Sequence, residues 1–517
     1  MERGDLPEAV RGPDERIEPF EPERIARSLF AATERLGRPD AFLARELTDG
    51  VLHFLTPDMV GAVTTPDQIT EVVTKVVREF GHPTLASTYE HLCSPPRPVP
   101  EGPPRRVALT TVPRWARPSA SPATVLHGAA GEVLESFSLS HLFPRDLVSA
   151  HREGLIRIAG LATPFELAGV ATDVPPRDIL QSLRRARAVA GEFLALDSPE
   201  FDLVGLPGDP SQLAETFIRE TVAAAEVLGL TIILNLNTAT PPPRVAGGAG
   251  PLFQAPATRT DRHDQIALEL ARRANGPVQV WWHLTPDQAD KQAVISSQLN
   301  GASTEFVFDR HGSAILLGPG MDRESPAALV AVGVNLARLV DMSGGPPVAA
   351  DVFLRRLQSL ARFAKTAGHV KHDYLRRYAR PGIREAFLLD RASLVLVPLG
   401  LDVAADATDI APAQFACDIL KTLRTAAELD RPRLLPVRID SPLTDGEWAA
   451  PADPACSIRH QVKRGSQWHA VTGAGRLDLV TTADAAADRV AALRAAAESA
   501  VVRLRFQPPG NGSRRPE

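Results

Sequence analysis

Cysteine is the first residue type to weigh as chemistry, because a thiolate is both a strong nucleophile and a soft metal ligand. Cys93, Cys417 and Cys456 stand far apart and form no C-x-x-C pair. Neither a thiolate zinc site nor a dithiol redox motif is therefore expected, and such sparse usage suits a reducing cytoplasm. Cys417 falls on an expected helix and reads as a small core residue. Cys456, in the loop DPACSIRH, has His460 four residues on, and a lone Cys/His pair in a loop reads as structural. His369, Lys371 and His372 share a helix but have no acidic residue at the spacing of a metal motif, so they read as a solvated helix end. Asn235 and Asn237 alternate on TIILNLN and face one side, either a ligand-facing interior or the end of the strand. Trp281 and Trp282 point to opposite faces of VQVWWHL and read as packing. HGAAGE (His127 to Glu132) and GPG (Gly318 to Gly320) read as turns. No P-loop, dinucleotide fingerprint, G-x-S-x-G or H-E-x-x-H occurs.

The elements that must position these residues follow from length and pattern. The 517 residues allow two to four domains, and 44% hydrophobic with 23% charged residues is ordinary for a globular chain. A net charge of -5 argues against a whole-chain polyanion binder. Only six of the 57 basic residues are Lys; with the abundant Pro and Ala this reads as coding bias. The charged N-terminus lacks an apolar signal core, and no apolar run reaches about 18 residues. The expectation is a cytoplasmic protein without a membrane partner.

Residues 94–124 hold nine Pro and are expected to form an extended linker with several Arg. Before it, Arg16 to Phe20 reads as a short strand. Glu21 to Leu36, Ala41 to Leu55 and Leu85 to Leu92 read as helices. Thr65-Pro66-Asp67 opens another, with Thr65 as N-cap and Pro66 at its first position. After the linker, helices are expected at 143–153, 210–228, 261–275, 325–339, 350–378, 414–429 and 483–500. Strands are expected at 155–161, 231–237, 278–284, 304–308, 313–317, 393–398 and 501–506. This alternation predicts an α/β sheet or barrel, followed by a disordered tail, PPGNGSRRPE.

Residues 8 to 92 resemble the ATP-cone, the regulatory nucleotide-binding module of ribonucleotide reductases and of their transcriptional repressor. The matching residues are Arg16 to Glu21, Arg24-Ile25, Ser28-Leu29, Thr65 to Ile69, Gly81-His82 to Ala86, and Tyr89. The resemblance implies an ATP or dATP effector held by Val10, Arg11, Arg16, Glu18, Arg24, Thr65 and Thr70, since a triphosphate calls for cations beside backbone donors. It also implies self-association through the helical faces of the cone. The module's Lys-Arg pair appears here as Gly12-Pro13, and its helix Lys as Arg24, which keeps the charge but changes the geometry.

The remainder resembles the large subunit of anaerobic (class III) ribonucleoside-triphosphate reductase. The similar segments are Ala150 to Ile158, Thr231 to Pro241, Gly333 to Leu339, the helix ending HVKHDYLRR, the strand near Ser393, Arg438 to Pro442, and Gly473 to Phe506. The implied organisation is an α/β protein: a mostly helical ATP-cone (1–93), a Pro/Arg-rich linker (94–124), a domain resembling the ten-stranded glycyl-radical-enzyme barrel (125–507) and a disordered tail (508–517). The family needs a thiyl-forming Cys, which neither Thr304 to Asp309 nor Ala159 to Pro164 supplies. Its zinc site and glycyl-radical loop should begin after Phe506, and the residues there carry neither. No catalytic residue and no metal site is assigned. Three readings stay open: a nucleotide-responsive regulator or partner protein with a non-catalytic barrel; a divergent reductase subunit needing a partner chain; and an interaction protein that binds no nucleotide.

Overall fold

The computed structural model describes residues 9–11, 17–54, 63–93, 122–172, 179–238, 260–286, 299, 304–378, 383, 388–428, 435–441, 457–480 and 485–507. The expected linker (up to residue 121), the tail, Arg16, Gly12-Pro13 and Cys456 lie outside them.

Among the described residues the N-terminal unit is a three-stranded sheet with four helices. Strand β1 (Ala9–Arg11) pairs antiparallel with β2 (Ile17–Pro19) and parallel with β3 (Val63–Thr64). The helices span Pro22–Arg35, Ala41–Phe54, Pro66–Glu79 and Pro83–Cys93. Their apolar positions recur three and four apart, and Leu29, Val51, Val73, Val77 and Tyr89 meet in the core. The Thr65 hydroxyl accepts from the Gln68 N–H and the Gln68 side chain accepts from the Thr65 N–H, closing a capping box with Pro66 at the first helical position.

Among the described residues the main path of the second unit's sheet runs through ten strands. In order of pairing they are β14 (Val437–Ile439), β13 (Ala392–Leu399), β12 (Ala327–Asn335), β5 (Leu167–Thr172), β6 (Ala190–Asp197), β7 (Thr231–Leu236), β8 (Val278–Leu284), β9 (Thr304–Phe308), β16 (Arg503–Gln507) and β15 (Arg476–Val480). The short β4 (Ile156–Ile158) pairs with the far end of β12. Strands β5 to β9 run parallel, and the other five oppose them through antiparallel joints at β12–β5 and β9–β16. The two end strands are joined by side chains: Asp440 and Ser441, just past β14, accept from the N–H groups of Gly475 and Arg476 at the head of β15.

The helices Pro210–Leu228, Asp261–Arg273, Ala350–Tyr378 and Pro412–Glu428 cover the outside. Inside, Phe193, Ala195, Ile233, Trp281, Val307, Val395 and Val397 form a separate apolar cluster with Leu316, Leu317 and Met321. These last three belong to a hairpin, β10 (Leu316–Gly318) and β11 (Met321–Asp322), inserted between the barrel walls. Its turn residue Gly320 has φ +67°, and a Cβ there would lie 2.3 Å from a Val395 methyl, so only glycine fits.

Three expectations are corrected. Residues 325–339, read as a helix, form β12 followed by a short helix, Leu336–Met342. Flanked by neighbouring strands and buried on nearly all its length, AALVAVGVN has no reason to alternate polar and apolar residues. The Asn335 side chain caps the helix that follows by accepting from the Arg338 N–H. HGAAGE, read as a turn, lies inside the helix Pro122–Phe137, which also takes the last three residues assigned to the linker. The group His369, Lys371, His372, read as a solvated helix end, has Lys371 and His372 buried against the barrel.

Candidate functional site

The residues chosen for phosphate recognition are largely brought together by the small sheet. Val10 sits between Glu18 and Thr64 in the sheet register, and Arg11 is exposed at the end of β1. Arg24, on the first turn of its helix, donates to Glu18 at 2.7 Å, with both side chains more than half exposed (58% and 56%). Thr65 follows β3 and is engaged as the helix cap. Thr70 stands apart: its hydroxyl donates to the Pro66 carbonyl at 2.8 Å. It lines a groove of about 540 Å³ between the helices Pro66–Glu79 and Pro83–Cys93, with Lys75, Arg78 and Glu90.

The barrel interior holds two polar systems that sequence reasoning identified only in part. Of the two alternatives left open for Asn235, interior or strand end, the structure shows the interior. Its Nδ2 donates to the carbonyls of Leu196 (3.3 Å) and Leu317 (2.9 Å), tying the wall to the inserted hairpin. Its Oδ1 lies 3.0 Å from His283 Nε2, and His283 Nδ1 lies 3.0 Å from both carboxylate oxygens of Asp309. Asn237 ends the strand with φ 64° and donates through Nδ2 to the His283 carbonyl. Trp281 joins the inner cluster and Trp282 the outer layer, as opposite faces require.

The second system centres on Arg503. Its guanidinium donates to Glu305 at 3.1 Å and to Asp440, and it lies 4.5 Å from the Trp281 ring centroid. Arg476 bridges Glu305 (3.0 Å) and Asp478 (3.3 Å), and Arg505 reaches Asp478 at 2.8 Å. The hairpin is held the same way. Arg438 meets Asp322 at 2.6 Å, Arg323 grips Asp197 with two bonds (2.8 and 2.9 Å), and the Gly320 N–H donates to Asp440 at 2.9 Å. Nearby His469 is pushed down to about 3 by burial, reinforced by Arg503 and Arg310. Its Nδ1 accepts from the Val502 N–H at 2.8 Å. The available signal was the pair of charges two residues apart in each of RLDLV and RLRFQ, with Leu477, Leu479, Leu504 and Phe506 apolar between and beyond them.

A third cluster lies outside the wall. Residues 159–166 bulge out between β4 and β5. Lys371, fully buried and held down to about 8 by burial against the pull of Glu192 and Glu166, donates to the Thr163 carbonyl in that bulge at 3.4 Å. Burial raises Glu192, and its Oε1 is sealed without a hydrogen-bond partner. Gly160, with φ +64°, lets the carboxylate in, since a Cβ there would lie 2.4 Å from Glu192 Oε1.

Cys93 is exposed, and Cys417 is half-buried with its thiol pushed up by burial. Among the described residues no group of three His, Cys, Asp or Glu is arranged to hold a metal, and no helix is long and apolar enough to cross a membrane.

No family model matches this sequence, and no curated protein matches it. Solved structures do. The anaerobic ribonucleotide reductase of Thermotoga maritima in complex with dATP and CTP is similar at a TM-score of 0.58 and 14% identity, over 75% of this chain and 84% of that one. The same enzyme with dATP bound in the specificity site gives 0.54 and 13%, over 74% and 83%. Another anaerobic ribonucleotide reductase gives 0.56 and 12%, over 75% and 79%. At such identities the likeness shows the fold: this chain has the α/β barrel-like architecture of the anaerobic ribonucleotide reductases.

Proposed function

We propose that this chain is a nucleotide-responsive regulator built on a reductase-type barrel that performs no chemistry of its own. The carrying observation is the barrel interior. Among the described residues, the side chains that converge there are apolar, ion-paired or, like Asn235, hydrogen-bonded to the wall and the hairpin, and the inserted hairpin presents Leu317, Gly318, Pro319, Gly320 and Met321. A radical abstraction needs a thiol at the centre of a closed cavity; of the described residues the two cysteines, Cys93 and Cys417, both lie on helices outside the wall.

The nucleotide is assigned to the N-terminal unit, read as an ATP-cone. ATP or dATP would use Val10, Arg11, Arg16, Glu18, Arg24, Thr65 and Thr70. Support comes from the Arg24–Glu18 pair. An exposed ion pair contributes only about 0–1 kcal/mol, so a phosphate exchanges for the Glu18 carboxylate at small cost and gains a charge-assisted bond. Two of the similar structures hold dATP. Self-association through the helical faces of the cone completes the proposal. Light scattering on the purified chain tests it: dATP or ATP should change the particle size, and a size indifferent to both nucleotides would leave an interaction protein.

A second reading has its own support. The described residues form two opposed five-stranded halves around an inserted hairpin, and the similarity in fold to anaerobic ribonucleotide reductases suits a divergent reductase subunit completed by a partner chain. Deoxyribonucleotide formation on adding a radical-generating partner would establish it.

A further inference from the structure

One helix touches both the N-terminal unit and the bulge. The first half of Ala350–Tyr378 meets the helix Ala41–Phe54: Arg356 pairs with Glu46 at 3.2 Å and lies 5.8 Å from the Phe42 ring centroid. Ser359 donates to Asp49, and Arg362 stands 3.7 Å from the same carboxylate. Asp49 is also 4.0 Å from the Arg45 Nε of its own helix. In the second half, Lys371 reaches the Thr163 carbonyl, and the Tyr374 ring meets Phe165 of the bulge at a tilt and Phe137 of the adjoining helix edge-on. Between the clamps, Gly368 sits against Leu394 of β13 so closely that a Cβ would lie 2.8 Å from it. That contact keeps the helix flush with the wall.

We propose that this helix couples the N-terminal unit to the barrel: a shift at the Glu46/Asp49 clamp moves the rod and re-sorts the buried charges at the Lys371 clamp. The fifteen steps along the helix from Arg356 to Lys371 span about 22 Å at 1.5 Å each, and an unbroken helix is stiff over that length. Coupling requires an element with two arrangements at the receiving end. The charge cluster supplies one. Lys371 makes a long bond to a carbonyl while Glu192 Oε1, in the same buried cluster, has no partner. A small displacement exchanges the first contact for the second and frees the bulge. The coupling stands on these contacts alone; that a nucleotide is its input rests on the function proposed above.

The chain has six lysines, so amine labelling reads the far clamp cleanly. Reductive dimethylation of the full chain, followed by peptide mass spectrometry, gives the rate at Lys371. Exposed Lys421 controls for reagent, and buried Lys365 on the same helix controls for unfolding. In Asp49→Asn and in Glu46→Gln the rate at Lys371 should rise at least threefold with Lys365 unchanged. Exchanging the charges, Glu46→Arg with Arg356→Glu, should return it toward the starting value. An unchanged Lys371 in both single variants, or Lys371 and Lys365 rising together, overturns the coupling. ATP or dATP added to the unaltered chain should also shift the Lys371 rate. If the substitutions shift it and neither nucleotide does, the coupling stands and the nucleotide assignment falls.

Discussion

The same chemical pair, arginine on carboxylate, appears in two places with opposite meaning. At the N-terminal unit, Arg24 and Glu18 meet at 2.7 Å in water. In the barrel, Arg503, Glu305 and Asp440 meet with exposures of 0%, 4% and 1%. The exposed pair is screened, contributes little and can trade partners. The buried group cannot: each charge has lost its hydration, and only its neighbours offset that loss. A ligand anion can therefore enter the first place and not the second. In this molecule the bulk of the buried arginine chemistry holds the barrel shut.

Breaking the buried member should cost most. Arg503→Ala strands Glu305 and Asp440 without their shared partner, and about 3–5 kcal/mol should be lost, read from urea midpoints at constant slope. A loss below about 1 kcal/mol would remove the contrast. Gly160→Ala comes next. It forces a left-handed residue and drives a methyl into the Glu192 carboxylate, for about 1–3 kcal/mol; indifference would show the bulge to be pliant.

Lys371 sharpens the comparison through pH. Its folded value, about 8, lies below its ordinary 10.5. Between those values the unfolded chain binds more protons than the folded one, so stability rises with pH across that window. Lys371→Met should abolish this group's part of the slope in denaturation followed from pH 8 to pH 10.5. Smallest of all, Arg24→Ala should change stability by less than about 0.5 kcal/mol while weakening nucleotide binding by roughly 1.5–3 kcal/mol.

How much of this was legible depended on whether the pattern was local. The helices Pro210–Leu228 and Ala350–Tyr378 and the strand Val278–Leu284 fall where periodicity placed them, because one face of each helix is wet and the strand is bounded by turn residues. The Thr65 cap was readable because its chemistry spans four residues. Strand β12 was not, since burial on nearly all its length erases period-2 alternation. Lys371 deceived for a related reason. A charged residue near a helix end is ordinarily solvated, and only the bulge between β4 and β5, with its glycine and two carboxylates from distant segments, buries it. The Arg503 network needs four strands in register, a long-range fact that alternating arginines hint at but do not locate. Of the chosen phosphate residues, Val10, Arg11, Glu18, Arg24 and Thr65 gather around the small sheet, whereas Thr70 faces a neighbouring groove.

The most direct test of the central claim is a calorimetric titration of the full chain with ATP and with dATP, repeated on Arg24→Ala. Micromolar binding, about −8 kcal/mol, that weakens tenfold or more in the variant is the predicted result. No heat from either nucleotide, or binding that Arg24→Ala leaves untouched, would contradict the account.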